Sequence, residues 1–457
     1  MHGDFSRLTF DPTNRFSAVL LLQGRVHVEA DSNEQVAILQ HYVRTLAADL
    51  LGEFSFPKAD PGFAIKKVVK GNKLTDLEIG YGRCYLDGLL VENPRPSDPD
   101  AVPTTFYQQP DAYFDPEEDP LPSEQPFFVY LQAWERLVTW VEDPAIRDVA
   151  LGAGGPDASA RVKVVWQVRL AEAEIDGAAP TTTKAAMTAW EKSVKPALTA
   201  PSTGALSARV VPTDDDELGV LAPEAGYRGL ENQLYRVEIH AGGELEEQKN
   251  GGSGPTFKWS RDNGSVVFPI EARQGKMVTL ATLGRDDRSQ LDIGDWVEIV
   301  DDARALAGPP ADLHRVEDVD LGDRRVALDA APTTTTGADP GLHPFLRRWD
   351  QQERSDLTLG SDHAITVVLG SSGAAKPLDA SGIWMALEDG VEVLFEAGTY
   401  RSGDYWLIPA RVETQTIEWP RKDDLALAVP PHGYDYHSVP LAFFADADKN
   451  PVKLPSA

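Results

Sequence analysis

Residues 231–270 constrain the fold more tightly than any other stretch of the chain. Leu234, Tyr235, Val237 and Ile239 are β-branched, aromatic or aliphatic, and Arg236, Glu238 and His240 alternate with them. A period of two in such residues predicts a strand with one face buried and the other wet. Beyond a Gly-rich break, residues 257–259 and 266–268 flank Asp262-Asn263-Gly264. Those three residues tolerate positive φ, so the pattern predicts a β-hairpin. Glu231, Glu238, His240, Lys258, Arg261 and Asp262 then fall close together, and Glu238 beside His240 on one face has the composition of an acid/base pair. Cross-strand charge pairs on a wet sheet face account for the same residues without any reaction.

Similar short runs recur along the 457 residues, punctuated by 37 Gly and 34 Pro. Residues 63–92 turn at Asp87-Gly88, and residues 383–395 turn at Asp389-Gly390. Residues 127–141 and 161–170 are aromatic and β-branched runs, while 187–194 suit a short surface helix. Between 277 and 328 four short strands separated by Gly and Asp turns suggest a small closed barrel of SH3 or OB type. The expected fold is mainly β, with antiparallel sheets, that barrel and one N-terminal amphipathic helix. A chain of this length exceeds one growing core, and composition shifts divide it into residues 1–55, 56–225, 226–335 and 336–457. Residues 93–126, rich in Pro, Asp and Glu, read as a long loop or linker, and His343-Pro-Phe-Leu-Arg-Arg-Trp-Asp reads as the start of the last module.

The helix follows the strand-like residues 17–30. Ser32 and Gln35 suit a capping box and Gly52 a stop. Between them Val36, Leu39, Val43, Leu46 and Leu50 repeat at 3-4-3-4 spacing, the narrow apolar seam of a coiled coil. Such a seam packs either on its own domain or on a partner, and these five residues are the candidate partner-binding site.

Several chemistries are excluded or weakened by composition. Lys plus Arg at 43 against Asp plus Glu at 72 leaves a net charge of −29, which opposes a nucleic-acid or anionic-lipid surface. Cys84 is the sole cysteine, so no internal disulfide and no cysteine-based zinc site is expected. No basic-then-apolar leader and no apolar run of membrane-spanning length is present, so the expected location is cytoplasmic, with no membrane insertion. The chain lacks the Walker lysine, the Rossmann fingerprint, His-Glu-x-x-His and Gly-x-Ser-x-Gly, so neither catalytic residues nor a cofactor are expected. Asp446-Ala-Asp448-Lys-Asn450 imitates a calcium loop, but Pro451 stands where glycine is needed, and the acidic run Asp214–Glu217 reads as solvated, so no metal is expected. Trp134, Trp140, Trp259, Trp296, Trp349, Trp384, Trp406 and Trp419 sit in or beside strands, a pattern that suits core anchors or, if exposed beside Glu231, Glu238, Asp262 and Asp404, a sugar groove.

Longer motifs add a resemblance. Gly3-Asp-Phe-Ser-Arg, Gln23-Gly-Arg-Val, Ala30-Asp-Ser-Asn-Glu-Gln, Glu142-Asp-Pro, Trp166-Gln-Val, Glu231-Asn-Gln-Leu-Tyr-Arg-Val-Glu-Ile-His, Lys258-Trp-Ser-Arg-Asp-Asn-Gly-Ser-Val, Leu346-Arg-Arg-Trp-Asp and Gly403-Asp-Tyr-Trp-Leu-Ile-Pro-Ala-Arg span nearly the whole chain. They resemble an uncharacterised bacterial and archaeal family encoded near phage-tail-like contractile injection systems. The stretch 24–35 is also similar to the start of phage baseplate and tail-fibre proteins. The resemblance implies a non-enzymatic structural component at the baseplate or its periphery, with other particle subunits or a second copy as partners, assembled in the cytoplasm and released with the particle. A glycan-binding or glycan-cleaving module and a carried effector are the alternatives it leaves open.

Overall fold

A computed structural model describes the chain except residues 72, 99, 124, 153–156, 176, 213–225, 247–253, 285, 287, 309, 355–356, 370–382, 424, 448 and 455–457. The acidic run 214–217 therefore lies outside the described residues, as does Asp448 of the calcium-like segment. The fold is mainly β. Contacts group it into two units that the chain visits alternately.

The unit formed by Thr9–Arg136, Val162–Pro201 and Tyr434–Ala457 is built on a four-stranded sheet. Its strand order is Val452–Lys453, His437–Phe444, Phe127–Val138 and Arg161–Glu172. Phe127, Val129 and Leu131 face one core with Trp166, Val439 and Phe444. Phe128 and Tyr130 face another with Phe443 and Trp190 of helix α2, Thr183–Ser193. A strand covered on both sides needs no polar alternation, and this explains the unbroken run Phe-Phe-Val-Tyr-Leu. Helix α2 thus buries Trp190 rather than lying free on the surface. The acid- and Pro-rich residues after Asn93 do more than connect, for Phe106 is buried and stacks on Phe114.

Gly82–Leu86 and Leu89–Asn93 form the hairpin expected at Asp87-Gly88, with φ of 46° and 81° at the turn. The turn lies against helix α1, Glu29–Leu51, because a Cβ on Gly88 would run into the Arg44 carbonyl. Helix α1 begins three residues before Ser32. Its N-cap, Val28, makes no side-chain bond, while Ser32 Oγ bonds His27 Nε2 at 2.9 Å instead of capping. Glu29 and Asp31 in the first turn complement the helix dipole in place of a capping box. Gly52 ends the helix as expected, its N–H donating to the Ala48 carbonyl.

The other unit comprises Met1–Leu8, Leu137–Arg161 and Ser202–Gly433. Its five-stranded sheet runs Ile365–Thr366, Thr256–Ser260, Gln233–Ile239, Tyr405–Arg411 and Thr416–Ile417. Tyr235, Val237 and Ile239 meet Trp259, Trp406, Phe395 and Val393 in a core shared with a second sheet. Strand Gln233–Ile239 is central and buried throughout, so the face carrying Arg236 and Glu238 is not wet. The predicted hairpin at Asp262-Asn263-Gly264 is also absent. Positive φ at Asn263 and Gly264 turns the chain, but it leaves the sheet: Val267–Gln274 pairs with Met277–Leu280 and Phe345–Trp349.

Those strands belong to a closed ring, completed by Arg325–Leu328, Leu313–Asp320 and Trp296–Val300. Phe268, Val278, Val297, Val316, Val326 and Leu346 fill its interior. Phe345–Trp349, expected to open a separate module, is the strand that closes the ring by pairing with both Trp296–Val300 and Val267–Gln274.

Candidate interaction surface

Two places gather the residues singled out in the sequence. The first is the polar face of the five-stranded sheet. Strand register puts Glu238 opposite Lys258 on one side and Tyr405 on the other. Directly opposed residues share a face, and this row packs against the outside of the barrel, where Glu298 and Trp349 project. Lys258 Nζ donates to Glu298 Oε2 at 2.9 Å, lies 3.5 Å from Glu238 Oε1 and sits 4.3 Å over the Trp349 ring. Glu298 also accepts from Trp349 Nε1 at 3.0 Å and from the Ala311 N–H at 3.2 Å. Arg236 Nε donates to Glu238 Oε2 at 2.6 Å, and its guanidinium stacks over Tyr405 at 3.7 Å. Asn263 accepts from Arg236 and donates to the carbonyls of Met1 and Gly3, and His2 Nε2 bonds Glu238 at 2.8 Å.

Burial is the largest influence on Glu238 and opposes its ionisation, but the charges of Arg236 and Lys258 and the hydrogen bond to His2 together outweigh it and hold the carboxyl well below its usual range. Burial likewise opposes ionisation of Glu298, which Lys258 and Arg347 keep low. Burial, with Arg236 and Arg347, keeps the His2 imidazole neutral. Two cations therefore meet two carboxylates with every carboxylate oxygen engaged. The four charged side chains are at most 9 % exposed, and their arrangement is that of a buried electrostatic weld between sheet and barrel.

The other charged candidates separate from it. Asp262 joins Arg288, Arg261 bonds Glu388 at 2.8 Å, and Arg288 also pairs with Glu231. Burial raises Asp262 to about 6 and Glu388 to about 7. Asp404 accepts from Ser202 Oγ and the Arg401 N–H, bracing its own turn. Trp259, Trp349 and Trp406 are no more than 2 % exposed, so none can stack on a sugar beside these carboxylates. Among the described residues no group of His, Cys, Asp and Glu is placed to hold a metal ion, and no helix is long and apolar enough to cross a membrane.

His240 is buried with Nδ1 unpartnered. Burial, then Lys258, lowers its pKa from 6.5 to about 4. The unfolded chain takes up a proton near 6.5 and the folded one refuses it until about 4, so this residue's stability contribution is present above 6.5 and lost as pH falls through that window. Asp262 and Glu388, raised in the folded state, act in the opposite sense in both chains of a comparison. Relative to wild type, His240→Gln is expected to lose about 1–2 kcal/mol less stability between pH 7 and 5 in urea titrations. Equal losses would show that His240 is protonated in the folded state.

The second place is helix α1. Ala30 and Ile38 are its buried residues, and Arg44 makes a bidentate pair with Glu135, both bonds 2.7 Å. At 100° per residue the seam lies about half a turn round the axis from this docked face. Val36, Leu39, Val43, Leu46 and Leu50 are 53, 55, 66, 61 and 75 % exposed. The arm before the helix adds Leu20, Leu21 and Leu22, also exposed. Among the described residues of 15–28 there is no strand or helix, so these leucines gain no sheet partner. Large contiguous exposed apolar surface is uncommon on soluble proteins, and this seam is the candidate association surface. The sequence had located the seam but could not tell which side of the helix its own unit would cover. The weld went unread because its members lie far apart in the chain, His2 and Glu238 by 236 residues, and meet through sheet register and the packing of the sheet on the barrel.

Fold and surface together define a mainly β protein whose chain alternates between two units and whose helix α1 carries five exposed apolar residues on the side away from its docked face. The chain belongs to the Family of unknown function (DUF6519), whose model matches residues 1–203 and 192–448. Comparison with curated proteins and with solved structures returned no match.

Proposed function

We propose that the protein is a structural component that acts by association, with the α1 seam as the surface it buries against another protein. The observation that carries this reading is the pairing of opposite faces on one helix: Ile38 and Arg44 fasten α1 to its unit while Val36, Leu39, Val43, Leu46 and Leu50 stand in solvent. A helix held in place with its apolar seam outward presents a pre-organised contact, which lowers the ordering cost of binding. The particle to which it belongs is a phage-tail-like contractile injection system, at the baseplate or its periphery; this part of the proposal rests on the resemblance of the long sequence motifs. The closed weld around Lys258 and the buried indoles favour association over glycan chemistry.

Mass spectrometry of sedimented native particles, with copy number measured against a tube or baseplate subunit, tests this reading. A fixed stoichiometry commensurate with the particle's symmetry is expected. Absence of the protein from intact particles would overturn the assignment.

A further inference from the structure

We infer that the occupant of the seam is a second copy of this chain, paired through α1 as a parallel, in-register, two-stranded coiled coil. This rests on the reading of α1 as an association surface and commits it to one partner.

The heptad that aligns the seam puts Val36, Val43 and Leu50 at a and Leu39 and Leu46 at d. β-Branched residues at a with leucine at d favour two parallel strands over three or four. In the same register Ala30 and Arg44 fall at b and Ile38 at c, and these are the positions that dock on the helix's own unit. The protomer therefore covers the outer side of the heptad and leaves a and d open.

Charge selects the partner further. A net charge of −29 makes two copies repel over most of their surface. The seam is flanked differently, for the g and e positions that face each other across a parallel pair are Gln35 with Gln40 and Tyr42 with Ala47. No like charges meet at those g and e positions, and the acidic residues at the a, d, e and g positions, Glu29 at a and Asp49 at g, stand at the two ends of the helix and form no stripe for a cationic partner. Val36, Leu39, Tyr42, Val43, Leu46 and Leu50 are each more than half exposed, so pairing these faces takes their apolar surface out of water toward the roughly 1,000 Å² that a specific interface must clear. The Val19 N–H donates to Gln35 Oε1 at 2.9 Å, which ties the arm to the g position beside the seam immediately before the exposed run Leu20–Leu22.

Sedimentation equilibrium of the purified full chain at micromolar concentration is expected to give the mass of two chains, with Val43→Asp weakening self-association at least about 100-fold. A Leu50→Cys variant, oxidised mildly, is expected to cross-link two copies, because position 50 meets itself only in the parallel register; native Cys84 is fully buried. A monomer at every concentration, a trimer, or a dimer unaffected by Val43→Asp would each overturn the inference. So would cross-linking that requires a mixture of Val36→Cys and Leu50→Cys chains, the signature of an antiparallel pair. If the chain is monomeric yet seam variants still drop out of particles, the seam binds a different subunit and only the self-pairing is lost. If the dimer forms but the protein is absent from particles, the self-pairing stands and the particle assignment falls.

Discussion

Lys258→Ala is expected to destabilise the unit that holds the sheet and barrel by about 3–5 kcal/mol. The lysine is 1 % exposed and lies between Glu238 and Glu298, which belong to different layers of that unit. Removing it leaves Glu238 with Arg236 and His2. Glu298 keeps two neutral donors, the Trp349 indole and the Ala311 amide, and Arg347 as its remaining cationic influence. A buried carboxylate that loses its hydrogen-bonded cation must either stay charged at high cost or take up a proton. The second course gives a signature: the variant regains stability as pH falls toward the carboxylate range, where the wild type does not. Removing the charge from both partners, as in Lys258→Met with Glu298→Gln, should restore most of the loss, since replacing both members of a buried pair costs far less than orphaning one. Urea titration followed by tryptophan fluorescence measures all three chains, and Trp349 and Trp259 beside the cluster report the transition. A single variant within about 1 kcal/mol of wild type would mean that the weld does not hold the layers together.

Leu39→Asp combined with Leu46→Asp is expected to remove association while sparing the fold. Both side chains are more than half exposed, on the side of α1 away from Ile38, so aspartate there meets water in the free chain and costs little. In the assembled state the same two positions are the d layer of the seam. Two lost leucines and two buried carboxylates would cost about 4 kcal/mol or more, a loss of roughly 1,000-fold in affinity. Circular dichroism should match wild type and unfolding should stay cooperative, with any drop in midpoint confined to the stability that association supplied, while recovery in sedimented particles disappears. A chain that collapses instead would show that the seam serves its own unit. Full incorporation of a folded double variant would show that association runs through another surface.

Local chemistry alone determined a good part of this protein. Asp87-Gly88 and Asp389-Gly390 make hairpins because positive φ at both turn residues matches the twist of the flanking strands, whatever else packs nearby. The 3-4-3-4 spacing defined the seam and its five residues, since a helix period fixes which side chains share a face. Tertiary structure decided what covers each face. Arg236 and Glu238 alternate as wet residues do, but the barrel lies over them and makes their charge a buried, paired one. Asp262-Asn263-Gly264 has the residues of a hairpin turn, yet the chain leaves it for a ring closed by Phe345–Trp349, far along the sequence. Ser32 and Gln35 have capping-box spacing, yet the helix starts earlier and the hydroxyl is drawn to His27. Periodicity reports the direction in which a side chain points, while partners such as Glu238 and Tyr405 are selected by strand pairing across long loops, whose closure entropy grows only slowly with length and therefore barely restricts the choice.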